Sequence, residues 1–300
     1  MKKFLNAIPL PIAAVMLSFA TLGNSLKEIT GIRPVCGVIA GILFLVILLK
    51  ILLCHTIFLE DLQNPIVASV FITFFMGTII LSTYIKPYSN ILGTLFWFIG
   101  LFGCAAMAIY VFFKFILPTK KVLPSHYVTF VGITAASVTA PAISQKSLGY
   151  IIFCIGFVAF LIITPFIFKN LFNKEYIPLP THPTKVIVAA PLSLCVAGYL
   201  NTSPAASLTF AWILFVVAFL FTLLGLYFLV TTAKKEFHPT YSSYTFPLVI
   251  SSVATKGMAS LTGNPFIKGL AQVETILAAL VVLWVFLGYL GFIIQNNSKK

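Results

Sequence analysis

His182-Pro183-Thr184-Lys185-Val186-Ile187-Val188-Ala189-Ala190-Pro191-Leu192 and His238-Pro239-Thr240-Tyr241-Ser242-Ser243-Tyr244-Thr245-Phe246-Pro247-Leu248 share one frame: His-Pro-Thr, six residues, then Pro-Leu, 56 residues apart. Each copy fronts a long apolar segment. Self-similarity at a fixed spacing marks an architecture whose units bury their faces against one another. A third histidine, His126, lies a further 56 residues upstream and also fronts an apolar segment. The repeat predicts a helical hairpin used several times.

What surrounds the repeat sets its environment. Hydrophobic residues make up 60% of the chain and charged residues 8%, too little polar surface to cover a soluble domain of this size. With a mean hydropathy of +1.08, the chain reads as an integral membrane protein. A span needs about 20 apolar residues to cross a hydrocarbon layer of about 30 Å. That ruler predicts ten segments, near 4–22, 34–53, 65–84, 90–113, 124–144, 148–169, 183–201, 205–232, 240–261 and 266–294. They form a single transmembrane domain over residues 1–300.

The net charge of +13 follows from topology. Cytoplasmic loops carry the Lys/Arg excess. With ten spans, thirteen basic residues fall on the side of the termini and six on the other. Both termini are therefore expected in the cytoplasm, with the chain in the cell membrane and no nucleic-acid partner. Five scattered cysteines (Cys36, Cys54, Cys104, Cys154, Cys195) show no C-x-x-C spacing and read as packing residues, not as a disulfide framework or metal site. The Lys2-Lys3 start before an apolar run resembles a signal peptide, yet Pro9 and Pro11 inside that run favour a retained first span.

Two kinds of segment alternate. The odd ones open on Asn64-Pro65, Pro124-Ser125-His126, His182-Pro183 and His238-Pro239, and proline at the first helical position loses no hydrogen bond. Interior prolines then predict kinks at Pro9, Pro11, Pro141, Pro191 and Pro247. Spans 5 and 9 are rich in Ser and Thr, whereas spans 4, 6 and 8 are bulky on all sides, as lipid-facing helices are. Backbone freed by proline is tolerated in a membrane only where protein or a water-lined cavity satisfies it. This points to five kinked inner helices around a central pore, ringed by five outer ones, against the alternative that small residues serve only close packing.

Several residues combine into a family likeness: Pro9-Leu10-Pro11, Leu148-Gly149-Tyr150, Ala190-Pro191 through Ala197-Gly198-Tyr199-Leu200, and Thr245-Phe246-Pro247-Leu248. Together they resemble the tellurite-resistance/dicarboxylate transporter family, which includes the plant slow-type anion channels. The resemblance implies a homotrimer with one pore per subunit, formed by the inner helices of five quasi-repeated hairpins. It also implies small inorganic or organic anions as the transported partners, no cofactor and no enzymatic activity. In channel-like members a phenylalanine of the ninth span plugs the pore. Matching the motif puts Leu248 at that gate position, with Phe246 two residues before it and Leu192 at the equivalent repeat position.

Candidate site residues follow. Ser137, Thr139, Ser193, Thr245, Ser251 and Ser252 are hydroxyls beside the kinks, expected to line the pore or to bond back to their own helices. Lys256 lies inside an odd span, where a charge is a functional candidate by default. It either attracts anions or pairs with Glu274, which lies at similar depth on the last span. The histidines His55, His126, His182 and His238 read either as a pH-sensitive vestibule or as markers of helix entry. Glu60, Asp61, Glu175 and Glu236 suit helix N-termini. No odd span carries an interior carboxylate, which fits an anion path better than a cation path.

Three functions compete. One is anion movement through a pore gated by an apolar constriction. The second is a proton-coupled carrier or exporter of a C4-dicarboxylate such as malate, sulfite or tellurite, with Lys256 and Glu274 as coupling pair. The third, a membrane metalloenzyme built on the histidines, lacks any H-E-x-x-H grouping.

Overall fold

Prolines or side-chain caps mark the start of six of the fourteen α-helices among the described residues, the long ones that begin at Pro65, Asn90, Leu208 and Pro265 included. In the computed structural model, which describes residues 2–172, 177, 179–233 and 236–298, the protein is helical and no strand occurs among the described residues. The α-helices run α1 (Lys2–Asn6), α2 (Ala13–Ser25), α3 (Ile32–Leu53), α4 (His55–Asp61), α5 (Pro65–Ile85), α6 (Asn90–Val111), α7 (Leu117–Thr119), α8 (His126–Val131), α9 (Thr134–Thr139), α10 (Lys146–Leu171), α11 (Ala190–Thr202), α12 (Leu208–Thr232), α13 (Thr245–Thr262) and α14 (Pro265–Ser298). Asn64 caps α5 through its Oδ1, which accepts from Ile66 N at 2.9 Å. Ser89, Ser207 and Asn264 do the same for α6, α12 and α14. Each satisfies N–H groups that have no partner inside the helix.

Seven helices are long and apolar enough to cross a membrane: Ile32–Leu53, Pro65–Ile85, Asn90–Thr119, Lys146–Leu171, Leu179–Thr202, Leu208–Thr232 and Pro265–Asn296. The expected spans 1, 5 and 9 fall short of that standard for two reasons: the continuous helices Leu10–Ser25 and Thr134–Ile143 are too short, and α13, 18 residues long, is too rich in Ser and Thr and carries Lys256. Each also holds tighter 3-10 turns near its prolines: Leu10–Ile12 around Pro11, Ala140–Ile143 around Pro141, and Pro239–Tyr244 just ahead of Pro247. The segment at Pro191 has the same build, a 3-10 stretch Leu179–Ala189 giving way to α11. Proline thus stands where one helical form hands over to another, and its missing N–H coincides with a position that has no α-helical partner. Pro165 departs from this pattern, sitting inside α10 without dividing it.

Burial separates two classes. Pro65–Ile85 and Leu179–Thr202 are 83% and 94% buried, whereas the other five long helices are 28–33% buried. α2, α8, α9 and α13 side with the buried class. The buried elements touch in succession: α2 meets α5, α5 meets α8 and α9, these meet α11, α11 meets α13, and α13 returns to α2. Outside them, α3, α6, α10, α12 and α14 each lie on the buried element that precedes them.

The outer helices are bulky toward the outside and mix glycines with large residues where they meet the buried elements. On α6, a Cβ at Gly100 would stand 2.7 Å from Phe75 O and 2.9 Å from Ile79 N, so α6 lies against the α5 backbone. On α10, a Cβ at Gly156 would overlap the Thr134 hydroxyl of α9. Small residues at such seams permit the close approach that drives packing in lipid. Trp97, fully buried on α6, adds a directed tie by donating from Nε1 to Thr139 Oγ1 at 2.9 Å. The expectation that the even spans are bulky all round is corrected accordingly.

One further correction concerns the Glu60-Asp61 pair, expected to serve the start of α5. Asn64 fills that role, and Asp61 instead bonds the buried Lys50 ammonium at 2.8 Å. Lys50 also donates to Ile8 O at 2.6 Å, tying α3 and α4 to the turn before α2. Five of the lysines counted in the charge argument (Lys174, Lys234, Lys235, Lys299, Lys300), and Glu175, lie outside the described residues.

Candidate functional site

The orientation of α13 follows from its hydrogen bonds. Ser18 of α2 donates to Thr245 Oγ1 at 2.8 Å, and Lys256 Nζ donates to Ser25 O at 2.7 Å. Thr245 and Lys256, eleven residues apart, therefore share the edge toward α2. Ser251 Oγ and Thr255 Oγ1 both donate to Glu274 Oε2 of α14, at 3.2 and 2.7 Å. Tyr244 stacks on Trp284 of the same helix. The face carrying 244, 251 and 255 is thus the outward one. Gly257, whose added Cβ would meet Leu200 at 2.8 Å, marks the edge toward α11.

Successive residues turn by about 100° in a helix of 3.6 residues per turn. Leu248 lies three and seven residues before Ser251 and Thr255, so it shares their face, toward α14. Phe246 stands about 200° away from it, between the α2 and α11 edges and facing the interior of the ring. Both are buried, against opposite surroundings. Leu192 behaves as Leu248 does. It shares a face with Tyr199, seven residues on, which packs on Phe153 of α10 and Phe210 of α12. The Pro-Leu leucines of both repeats therefore point to the outer helices, a register the motif alone does not reveal.

The hydroxyl candidates are buried, and nearly all are engaged inside the protein. Ser193 donates to Ala189 O at 2.9 Å and Ser252 to Val249 O at 2.8 Å, each bonding back into its own helix. Thr245 closes the α2–α13 seam, and Ser137 lies 3.4 Å from Thr202 Oγ1 of α11. Thr139 receives the Trp97 indole. Ser251, besides its bond to Glu274, accepts from Thr222 Oγ1 of α12 at 3.1 Å. Ser243, one turn before Phe246, is buried with no hydrogen-bond partner for its hydroxyl.

Lys256 and Glu274 do not pair with each other. The lysine reaches Ser25 O and lines an open cleft of about 810 Å³ with Glu28, Asn264, Lys268 and Gln272. Glu274 is held by hydroxyls, and its Oε1 is buried without a partner. Thr222 and Thr255, which complete that cluster, were not among the candidates. Their signal was the i, i+4 spacing of Ser251 and Thr255 opposite the only acidic residue within an expected span.

Three histidines serve the backbone. His126 Nδ1 accepts from Leu123 N at 3.0 Å, His238 Nδ1 accepts from Thr240 N at 3.3 Å, and His182 Nε2 lies 2.9 Å from Ile177 O. No group of three or more His, Cys, Asp or Glu suited to a metal occurs among the described residues. The buried segments 10–25, 65–85, 126–143, 179–202 and 239–262 hold no Asp or Glu and two lysines, Lys185 and Lys256. Lys185 is buried, with its ammonium over the Phe228 ring. By the 56-residue repeat it corresponds to position 241, so the two lysines lie toward opposite ends of the buried ring, with Phe246 between them.

The family described as SLAC1, voltage-dependent anion channel, matches residues 8–290. No curated protein matches the chain.

Proposed function

Since the chain belongs to the SLAC1 voltage-dependent anion channel family and is a multi-pass membrane protein, we propose that it passes small anions through a pore in each subunit, with Phe246 as the constriction. In this reading ten segments cross the membrane as five hairpins. The buried members surround the pore and the half-exposed members face lipid or a neighbouring subunit of a homotrimer. Both termini lie in the cytoplasm of a cell whose plasma membrane holds the protein.

The observation that carries the reading is the register of the buried ring: Phe246 buried at mid-height and facing the interior, Lys256 toward the cleft end, and no carboxylate on any inner segment. A cation path shows acidic rings, whereas an apolar constriction gates by dewetting and basic groups near its mouths favour anions. Leu248 and Leu192 are not carried forward as gate residues, because their register sets them against outer helices. Of the hydroxyl candidates, Ser137, Thr139, Thr245 and Ser251 tie helices together and Ser193 and Ser252 bond back into their own, while Ser243 is the donor best placed to meet an anion beside Phe246. The transported class is small inorganic anions or compact carboxylates.

The test is anion flux from proteoliposomes holding wild type, Phe246→Ala or Leu248→Ala. Phe246→Ala is expected to raise flux severalfold and Leu248→Ala to leave it near wild type. Enlarged flux from Leu248→Ala alone would overturn the assignment. A carrier reading has one observation in its favour, the buried carboxyl of Glu274.

A further inference from the structure

Glu274 is an isolated acid in an apolar helix. Its Oε2 accepts from Thr255 and Ser251, Ser251 accepts in turn from Thr222, and Oε1 is buried without a partner. Among the described residues no cation bonds to it. The Lys256 ammonium, on the same helix as its hydroxyl donors, is bonded to Ser25 O on the α2 side. α12 contributes no charged residue between 208 and 232, and α2 none between 13 and 25. On α14 itself Lys268 lies six residues earlier, about 9 Å along the axis. The 239–244 segment packed on α14 supplies Tyr241 and Tyr244 against Trp284, about 15 Å beyond Glu274 along that axis.

An ionised carboxylate with one oxygen bare is costly away from water, whereas the neutral acid leaves only a carbonyl oxygen unpaired. Water nevertheless comes close. The cleft that holds Lys256 is also lined by Ala271 and Thr275, which flank Glu274 in the turn of α14. A proton therefore has a short path from the cleft to the carboxyl.

We propose that Glu274, with Ser251, Thr255 and Thr222, forms a proton-binding site served by this cleft, and that its occupancy sets anion passage. This rests on the anion-conducting reading above. The link is α13, which carries Phe246 on its inner side and both carboxyl donors on its outer side. With a proton bound, the site is neutral and anions pass Phe246. Proton loss places one negative charge about 13 Å from that ring, given about 7.5 Å of rise over the five residues between Phe246 and Ser251 and the width of about 11 Å of a helix with its side chains. At an effective dielectric constant of about 20, this lowers anion occupancy roughly eight- to tenfold. Flux accordingly falls as pH rises on the cleft side.

Two readouts test the proposal on the intact protein in liposomes. Infrared difference spectra across a pH titration are expected to show a protonated-carboxyl band that disappears at high pH and is missing from Glu274→Gln. Chloride flux is expected to fall with rising cleft-side pH in wild type and to stay high and flat in Glu274→Gln. Thr255→Val, which removes the shorter hydrogen bond to the anionic form, shifts both profiles to higher pH while Glu274 is retained. Absence of a Glu274-dependent band, or a wild-type pH profile in Glu274→Gln, overturns the proposal. Absence of anion flux from every variant overturns the channel reading instead, and the band still decides the proton site.

Discussion

Lys50 offers a sharp energetic test of how this protein handles charge at depth. Its side chain is 2% exposed and the Asp61 side chain 35%, with 2.8 Å between Nζ and Oδ2. At that separation the gross attraction is about 6 kcal/mol for an effective dielectric constant of about 20. Desolvating the ammonium offsets several kcal/mol of this, so the pair nets only about 1 kcal/mol. The two partners are unequal, and the asymmetry is the prediction. Asp61→Asn strands a buried ammonium whose remaining charge-stabilising acceptor is Ile8 O, for a loss of about 2–4 kcal/mol, below the fully buried figure because Asp61 is partly solvated. Lys50→Met leaves a carboxylate that water reaches, for a loss of about 1 kcal/mol. The double variant returns close to Lys50→Met, since neither stranded charge remains. Unfolding in mixed micelles with increasing SDS fraction, run as a double-mutant cycle, reads all three. If Lys50→Met costs as much as Asp61→Asn, the argument from unequal exposure fails.

Other consequences follow from the seams and the cleft. Gly100→Val drives a branched side chain into the α5 backbone and is expected to destabilise the fold by about 1–3 kcal/mol, measured as a lowered melting temperature in detergent. Thr139→Val leaves the Trp97 indole N–H buried and unpaired, at a loss of about 1–3 kcal/mol, whereas Trp97→Phe removes the donor and its area together; thermal unfolding of the pair in detergent with a double-mutant cycle gives their coupling. Lys256→Gln removes a positive charge from the cleft, and anion flux should slow a few-fold at low ionic strength and converge with wild type at about 1 M salt, where screening acts within about 3 Å.

The sequence exposed the parts that depend on period and composition. Seven long apolar helices, two burial classes and helix starts at Asn64-Pro65 and His238-Pro239 match that reading, because proline, cap residues and apolar length act locally, whereas Pro183 falls inside a 3-10 stretch that begins at Leu179. What escaped depends on how elements face one another. The Pro-Leu repeat drew attention to Leu192 and Leu248, yet azimuth about the helix decides which residue looks inward, and only the bonds of Thr245, Ser251 and Lys256 to neighbouring helices fix it. Likewise Lys256 and Glu274 lie at similar depth but on different sides of α13. Depth follows from counting residues, whereas direction requires the partner. The glycines of α6 and α10 were hidden for the opposite reason: a narrow seam is diluted by the bulk around it.

The ring of buried elements closes where Ser18 meets Thr245, residues 227 positions apart. During synthesis the first buried helix must therefore wait for this partner, its Ser18 hydroxyl bonded only to Ala14 O of its own helix, until almost the whole chain has been made. Contacts of such long range carry the largest loop-closure cost and are made late. A chain cut short before α13 would leave the Ser18 edge and the Ser25 carbonyl facing lipid. The seam between α2 and α13 is thus the last to form, and the first and last buried helices become neighbours only when the ring is complete.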